Sequence, residues 1–242
     1  MSAEQIAAQP YDYRGIVGSL QYLVRGTRPD IANAVRELSK FLSCYNRTHC
    51  DAARRVLKYF KWTSTYGLFL DGKTSDVTYK VYTDASFACQ PKERKSITGY
   101  VIQMAGTSVS WCSSKQESVS LSTAEAELIA LSEGAKESEW LWHLLGEMGF
   151  PQVPVQVWCD TNAAISIVKN PGDHKASWEP YKHIEIRYLI TRDLVELGRL
   201  KIAYRATTEM TADILTKALP TKQFLKLREK LGVRDLELYP ST

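Results

Sequence analysis

With 242 residues, 27.4 kDa, 44% hydrophobic and 24% charged residues, the chain suits one large globular domain or two small ones, and not a disordered, collagenous or coiled-coil protein. No apolar run approaches the ~18 residues of a membrane helix, and the opening Met1-Ser-Ala-Glu-Gln-Ile-Ala lacks the basic and apolar regions of a secretory signal. The formal charge of +4 is unevenly spread: residues 11–66 hold ten Lys/Arg against four Asp/Glu, leaving the rest of the chain neutral to slightly acidic. Such a basic segment suggests an anionic partner, although charge alone favours solvated helix faces.

The apolar period is helical from Tyr11 to about Tyr66. Ile16, Leu20 and Val24 recur at four-residue steps and stop at Gly26. After Pro29, which suits a first helical turn, Ile31, Ala34, Val35, Leu38, Phe41 and Leu42 form a second stripe. A third helix is expected to open at Thr48, with its hydroxyl on the Asp51 amide, and to carry Ala53, Val56, Leu57 and Phe60. Three such helices make a small bundle with a basic outer surface.

Val77–Asp84, Ile97–Met104 and Ser108–Cys112 then read as three short strands of an antiparallel meander. A long helix follows, with Ser122 as cap, Glu125 completing a capping box, and Leu128, Leu131, Ala135, Trp142 and Leu145 on one side; Gly149 and Pro151 stop it. Val153–Asp160 is a fourth strand and Thr161–Val168 another helix. After a polar stretch over 170–182 come a helix at about 183–197, a fifth strand at Leu200–Arg205 and a helix at Met210–Leu219. A last amphipathic helix carries Phe224, Leu225, Leu227 and Leu231. The order βββαβα(α)βα describes a mixed five-stranded sheet with helices packed on it.

Five scattered cysteines without a C-x-x-C pair point to a reducing compartment rather than a disulfide framework. Cys44, His49 and Cys50 lack a fourth ligand and read as chance neighbours. Four acids occupy more telling places. Asp84 and Asp160 close the first and fourth strands of the sheet, Glu127 lies in the second turn of the long helix, and Asp213 begins the helix after the fifth strand. An acid at the end of an apolar strand must be solvated, paired or metal-bound. If those two strands are neighbours, Asp84 and Asp160 end side by side and repel unless divalent cations lie between them; oxygen ligands of this kind suit Mg²⁺.

Tyr82-Thr-Asp-Ala-Ser, Arg94-Lys-Ser-Ile-Thr-Gly-Tyr, Val109-Ser-Trp-Cys-Ser-Ser-Lys-Gln, Leu121-Ser-Thr-Ala-Glu-Ala-Glu-Leu, Cys159-Asp-Thr-Asn-Ala-Ala-Ile, Lys182-His-Ile-Glu-Ile-Arg-Tyr and Ala212-Asp-Ile-Leu-Thr-Lys occur in an order that resembles the ribonuclease H domain ending copia-type LTR retrotransposon polyproteins. Tyr13-Arg-Gly-Ile-Val-Gly-Ser-Leu-Gln-Tyr-Leu and Thr27-Arg-Pro-Asp-Ile resemble the end of the reverse transcriptase that precedes it. The resemblance implies a mixed α/β, ribonuclease H-like five-stranded sheet over residues 76–242, after a small all-α, thumb- or connection-like segment over 1–70. It implies a D-E-D-D site of Asp84, Glu127, Asp160 and Asp213 holding two Mg²⁺ ions, with Mn²⁺ able to substitute.

The family pattern puts the glutamate directly before Leu128, which selects Glu127. Glu125, about 200° away around the helix, stays in the cap. The implied activity is endonucleolytic hydrolysis of the RNA strand of an RNA/DNA hybrid, leaving 5′-phosphates, with Ser86, Asn162, Arg94 and Lys95 contacting substrate. Ser86 and Asn162 are equally turn caps. The implied partners are the hybrid and the reverse transcriptase palm and fingers of the same polyprotein. The implied location is a cytoplasmic retrotransposon particle or the nucleus, without secretion or membrane.

Three departures stand out. The stretch Arg205-Ala-Thr-Thr-Glu-Met-Thr-Ala-Asp holds no histidine before Asp213; Glu209 is the substitute within it, or simply an acid at a helix N-terminus. Trp178-Glu-Pro-Tyr reads as an insertion between His174 and His183, which are either phosphate contacts or packing residues. No Tyr-x-Asp-Asp occurs, so the chain is not expected to polymerise by itself. A DDE-type transposase or integrase on the same fold, and a non-catalytic remnant that binds nucleic acid, are the competing readings.

Overall fold

The computed structural model describes residues 11–70, 77–89, 93–169 and 190–238. His174, His183, the Trp178 insertion and the first part of the helix expected at 183–197 lie outside them; residues 190–196 form helix α6. Among the described residues, no helix is long and apolar enough to cross a membrane.

Helices α1 (Tyr13–Gly26), α2 (Ala32–Ser39) and α3 (Arg47–Trp62) come first. The third starts earlier than expected, and Thr48 is not its cap. The Asn46 side chain accepts from the His49 amide while His49 Nδ1 accepts from the Asn46 amide, so a histidine closes the capping box. His49 also stacks on Phe41, with ring centroids 3.9 Å apart, so it serves capping and packing rather than a metal. Arg28, counted above among the surface charges, is buried. Its guanidinium holds both Asp30 oxygens at 2.9 Å and donates to the Thr63 carbonyl and hydroxyl at 3.0 and 2.8 Å. Nine basic residues of the segment remain at least partly exposed.

The sheet consists of β2 (Tyr79–Ser86), β3 (Ile97–Met104), β4 (Thr107–Lys115), β5 (Val155–Cys159) and β6 (Leu200–Tyr204), in the order β4-β3-β2-β5-β6. The first three are antiparallel, while β5 runs parallel to both β2 and β6. That order and these directions give the mixed ribonuclease H-type sheet. A pairing not legible in the sequence joins β1 (Tyr66–Leu68) to β7 (Val233–Asp235), antiparallel and close to the C-terminus.

The two sheet faces bury different partners, because successive strand residues point to opposite sides. Tyr79, Val81 and Ile102 pack under α4 (Thr123–Glu147) and α5 (Asn162–Lys169). Tyr82 and Val101 join a core made by Tyr13, Val17, Leu20 and Val35 of the first helices with Met210, Leu215, Leu227 and Leu231 of the C-terminal segment. The helical segment and the sheet therefore share one core, which runs across the expected division at residues 70–76.

Two glycines set the layer spacing near the end of β2. A Cβ on Gly134 of α4 would lie 2.7 Å from the Thr83 methyl, and one on Gly99 of β3 would lie 2.6 Å from the Thr216 methyl. The helix expected at Met210–Leu219 shrinks to α7 (Asp213–Thr216), following a 3-10 turn at Thr207–Glu209 and an extended Met210. The last helix, α8 (Thr221–Lys230), buries Leu227, while Leu225 is exposed.

Candidate active site

The parallel register Tyr82↔Trp158 carries β2 and β5 outward together, so Asp84, two residues on, and Asp160, just past β5, end at the same sheet edge. Gly99 pairs with Asp84 across the antiparallel ladder, and its missing side chain lets α7 bring Asp213 against Asp84. One carboxylate oxygen each from Asp84, Asp160 and Asp213 all lie within 4.8 Å of one another. Glu127, on the first turns of α4, joins from the other face: its Oε1 accepts from the Ala85 amide at 3.1 Å, and it lies in a second cluster with Cys159 and Asp160. Asp84, Glu127 and Asp213 are at most 2% exposed; Asp160 is half-buried.

The chain itself supplies part of the compensation for these buried charges. Lys217 Nζ lies 2.8 Å from Asp84 and 3.1 Å from Asp213. The Thr216 hydroxyl donates to the other Asp84 oxygen. Asp160 accepts from the Thr161 hydroxyl at 3.2 Å and from Thr207 at 2.9 Å. Glu127 Oε2 and Asp213 Oδ2 remain buried with no hydrogen-bond partner.

Burial, then the charges of Asp84 and Asp160, pushes the Glu127 pKa up to about 9. Burial and the Asp84 charge push Asp213 up to about 7 against the pull of Lys217. Asp84 is raised by burial although Lys217 and Thr216 oppose it. Burial works against the Lys217 ammonium, but Asp84 and Asp213 outweigh it and keep its pKa above the usual lysine value. A divalent cation among all-oxygen donors would satisfy both orphaned oxygens and favour the ionised carboxylates, so the donor set fits Mg²⁺.

Glu125 faces away from this cluster. Ser122 caps α4 by accepting from the Glu125 amide at 3.1 Å, but the Glu125 carboxylate reaches the Leu121 amide at 2.7 Å, one residue before the cap, and not the Ser122 amide of a reciprocal box. Ser86 ends β2, half-buried, opposite Ile97; Asn162 opens α5, exposed. Arg94, exposed at φ 53°, and Lys95 stand just before β3, separated from it by Ser96, and so lie at the same sheet end as Asp84. Glu209, considered for the absent histidine, is held by Lys226 and Lys230, whose hydrogen bonds pull its pKa down to about 2. It is an ion-paired surface acid. Lys217, Thr216 and Thr207 received no role from the sequence. The one available signal was the i, i+4 spacing of Asp213 and Lys217 on a helical turn.

No family model matches the chain. It is 40% identical over 223 residues to the retrovirus-related Pol polyprotein from transposon TNT 1-94 of Nicotiana tabacum, covering 92% of this chain and 16% of that protein. It is 36% identical over 225 residues to the retrovirus-related Pol polyprotein from transposon RE1 of Arabidopsis thaliana, covering 93% and 15%. The chain thus spans 16% or less of the length of these two relatives. The N-terminal RNase H domain of a Mycobacterium tuberculosis protein, solved as a maltose-binding-protein fusion, superposes on 63% of this chain and 97% of that one, with 14% identity and a TM-score of 0.42.

Proposed function

We propose that the chain, whose relatives over 92–93% of its length are retrotransposon Pol polyproteins, hydrolyses the RNA strand of RNA/DNA hybrids during reverse transcription, using divalent cations held by Asp84, Glu127, Asp160 and Asp213. The observation that carries this reading is the convergence of four carboxylates from β2, α4, the end of β5 and α7, two of them with an oxygen buried and unpartnered. Two divalent cations bound there would activate water and stabilise charge on the attacking and leaving oxygens of a phosphodiester.

The surrounding residues have distinct tasks in this reading. The Ala85 amide and the Thr216 and Thr207 hydroxyls fix the orientation of Glu127, Asp84 and Asp160. Ser86 and Asn162, each two residues past a site aspartate, contact the 2′-hydroxyl that separates RNA from DNA. Arg94 and Lys95 contact phosphates at the same sheet end, and the exposed cations of residues 11–66 grip the duplex backbone without reading sequence. The division into a segment 1–70 that closes the reverse transcriptase and a nuclease region 76–242 belongs to this proposal, as do the palm and fingers as partners. In this reading the chain acts inside a cytoplasmic particle or the nucleus.

A cleavage assay in Mg²⁺ or Mn²⁺, with an RNA/DNA hybrid beside duplex DNA and duplex RNA, tests the proposal. Cutting confined to the RNA strand of the hybrid, and lost in Asp160→Asn, is the expected result. Cutting of duplex DNA would point to a transposase- or integrase-type nuclease, and binding without cleavage to a non-catalytic remnant.

A further inference from the structure

Cys159, the last residue of β5, takes no part in the all-oxygen site, yet its thiol is fully buried beside it. Its Sγ, a Glu127 oxygen and an Asp160 oxygen lie within 4.8 Å of one another. Among the described residues, no other cysteine joins such a three-ligand cluster. A second observation points to a ligand here: Glu127, 2% exposed, uses Oε1 on the Ala85 amide, while its Oε2 is buried without a partner. An orphaned buried carboxylate oxygen is costly, and a cation between Glu127, Cys159 and Asp160 would satisfy it.

Sulfur decides which cation that is. Mg²⁺ takes oxygen donors almost exclusively, whereas Zn²⁺ and Cd²⁺ accept thiolate together with carboxylate. Zn–S and Zn–O bonds of ~2.3 and ~2.1 Å set tetrahedral donors roughly 3.5 Å apart, so the cluster needs to close by only about 1 Å. The Cys159 Sγ makes one long contact, 3.9 Å, to the Thr161 carbonyl, while burial and the nearby Glu127 carboxylate disfavour the thiolate, whose charge the bound cation must offset.

We propose that Cys159, Glu127 and Asp160 form a three-ligand site for a thiophilic divalent cation, Zn²⁺ above all, which shares two carboxylates with the proposed Mg²⁺ site and therefore blocks it. On binding, the thiol proton leaves to solvent, an S–metal bond forms, and a fourth position stays open to water; no electron is transferred. The inhibitory consequence rests on the reading of the carboxylates as a nuclease centre. The binding itself does not.

The test uses the full chain carrying Cys44→Ser and Cys89→Ser, which removes the two exposed thiols. Without Mg²⁺, Cd²⁺ titration is followed by the ultraviolet thiolate-to-cadmium band. One equivalent should saturate the band, Cys159→Ala should abolish it, and Cys112→Ala should leave it intact. Asp160→Asn and Glu127→Gln should each weaken Cd²⁺ binding by about tenfold or more, which a solitary thiol would not register. Melting curves of Cys159→Ala and the milder Cys159→Ser verify that both variants fold. A band retained in Cys159→Ala, or an affinity unchanged in Asp160→Asn, overturns the proposal. In Mg²⁺-supported hybrid cleavage, Zn²⁺ should inhibit the parent, and Cys159→Ala should require about tenfold more Zn²⁺; equal inhibition also overturns it. If the parent shows no cleavage in Mg²⁺, the nuclease reading fails while the cadmium titration still decides the site.

Discussion

Lys217 Nζ sits 2.8 Å from Asp84, a residue 133 positions earlier in the chain, and the same ammonium reaches Asp213 at 3.1 Å. One lysine thus pairs with two carboxylates that are almost wholly buried and offsets part of their charge, at the point where divalent cations are proposed to bind. Lys217→Met removes the charge and keeps the length. Without metal this variant should lose about 1.5–3 kcal/mol, the worth of hydrogen bonds to charged groups. It should also bind Mg²⁺ more tightly, because no resident cation competes. Thermal denaturation with and without Mg²⁺ measures both effects; an unchanged metal-free melting temperature contradicts the pairing.

The raised carboxylates make stability depend on pH in a defined direction. Glu127 at about 9 and Asp213 at about 7 keep protons in the folded chain that the unfolded chain releases near pH 4. Their contribution is full below the unfolded values and is lost as pH rises through the folded ones. Metal-free protein should therefore melt at falling temperatures from about pH 5 to about pH 9. Saturating Mg²⁺, which favours the ionised forms, should flatten the decline. A metal-free melting temperature that rises over this window would refute the burial of these groups.

The buried Arg28–Asp30 pair ties the first helices to α3 and, through Tyr59, to Arg228 of α8: the Tyr59 hydroxyl donates to Asp30 at 2.7 Å and accepts from Arg228 at 3.2 Å. Asp30→Ala leaves a buried guanidinium unpaired and should cost about 3–5 kcal/mol. Urea denaturation should show that loss in a single transition, since the core is shared across the helical segment and the C-terminal elements. Separate transitions would show that the two parts are energetically independent.

Much of the site was legible because strand ends and helix starts are fixed by local pattern. Once β2 and β5 pair in parallel, Asp84 and Asp160 must end together; the helical repeat of α4 only sets Glu125 and Glu127 on different sides, and it is the family resemblance that singles out Glu127. What escaped depends on contacts between distant residues. The β1–β7 pairing joins three-residue segments too short to carry a period. Arg28 reads as a surface charge although Asp30 stands two residues on, because the burial of that pair depends on Thr63, 35 residues away. The helix expected over Met210–Leu219 broke up because Met210 is extended and Lys217 leaves the helix, yet its side chain still pairs with Asp84. Asn46 displaced Thr48 as a cap because a histidine, not an acid, completed the box.

The outward charges of α3 supply the proposed grip on duplex backbone. Arg47, Arg55, Lys58 and Lys61 are all exposed. Replacing these four with glutamine should weaken hybrid binding and flatten its salt dependence between ~50 and ~200 mM, where each lost phosphate contact removes about one unit of slope. Because the core is shared, this tests the charges without the exposure of apolar surface that deleting residues 1–70 would bring. Unchanged slopes would make these cations solvated helix faces.

The most direct measurement is single-turnover cleavage of an RNA/DNA hybrid in Mg²⁺ by the wild type, Glu127→Gln and Glu125→Gln side by side. The two glutamates stand two residues apart on α4, but only Glu127 reaches the carboxylate cluster, while Glu125 binds the Leu121 amide. Cleavage by the wild type and Glu125→Gln, with none by Glu127→Gln although it melts cooperatively, is the expected outcome. Undiminished cleavage by Glu127→Gln, or no cleavage by the wild type, would contradict the assignment of this cluster as a nuclease centre.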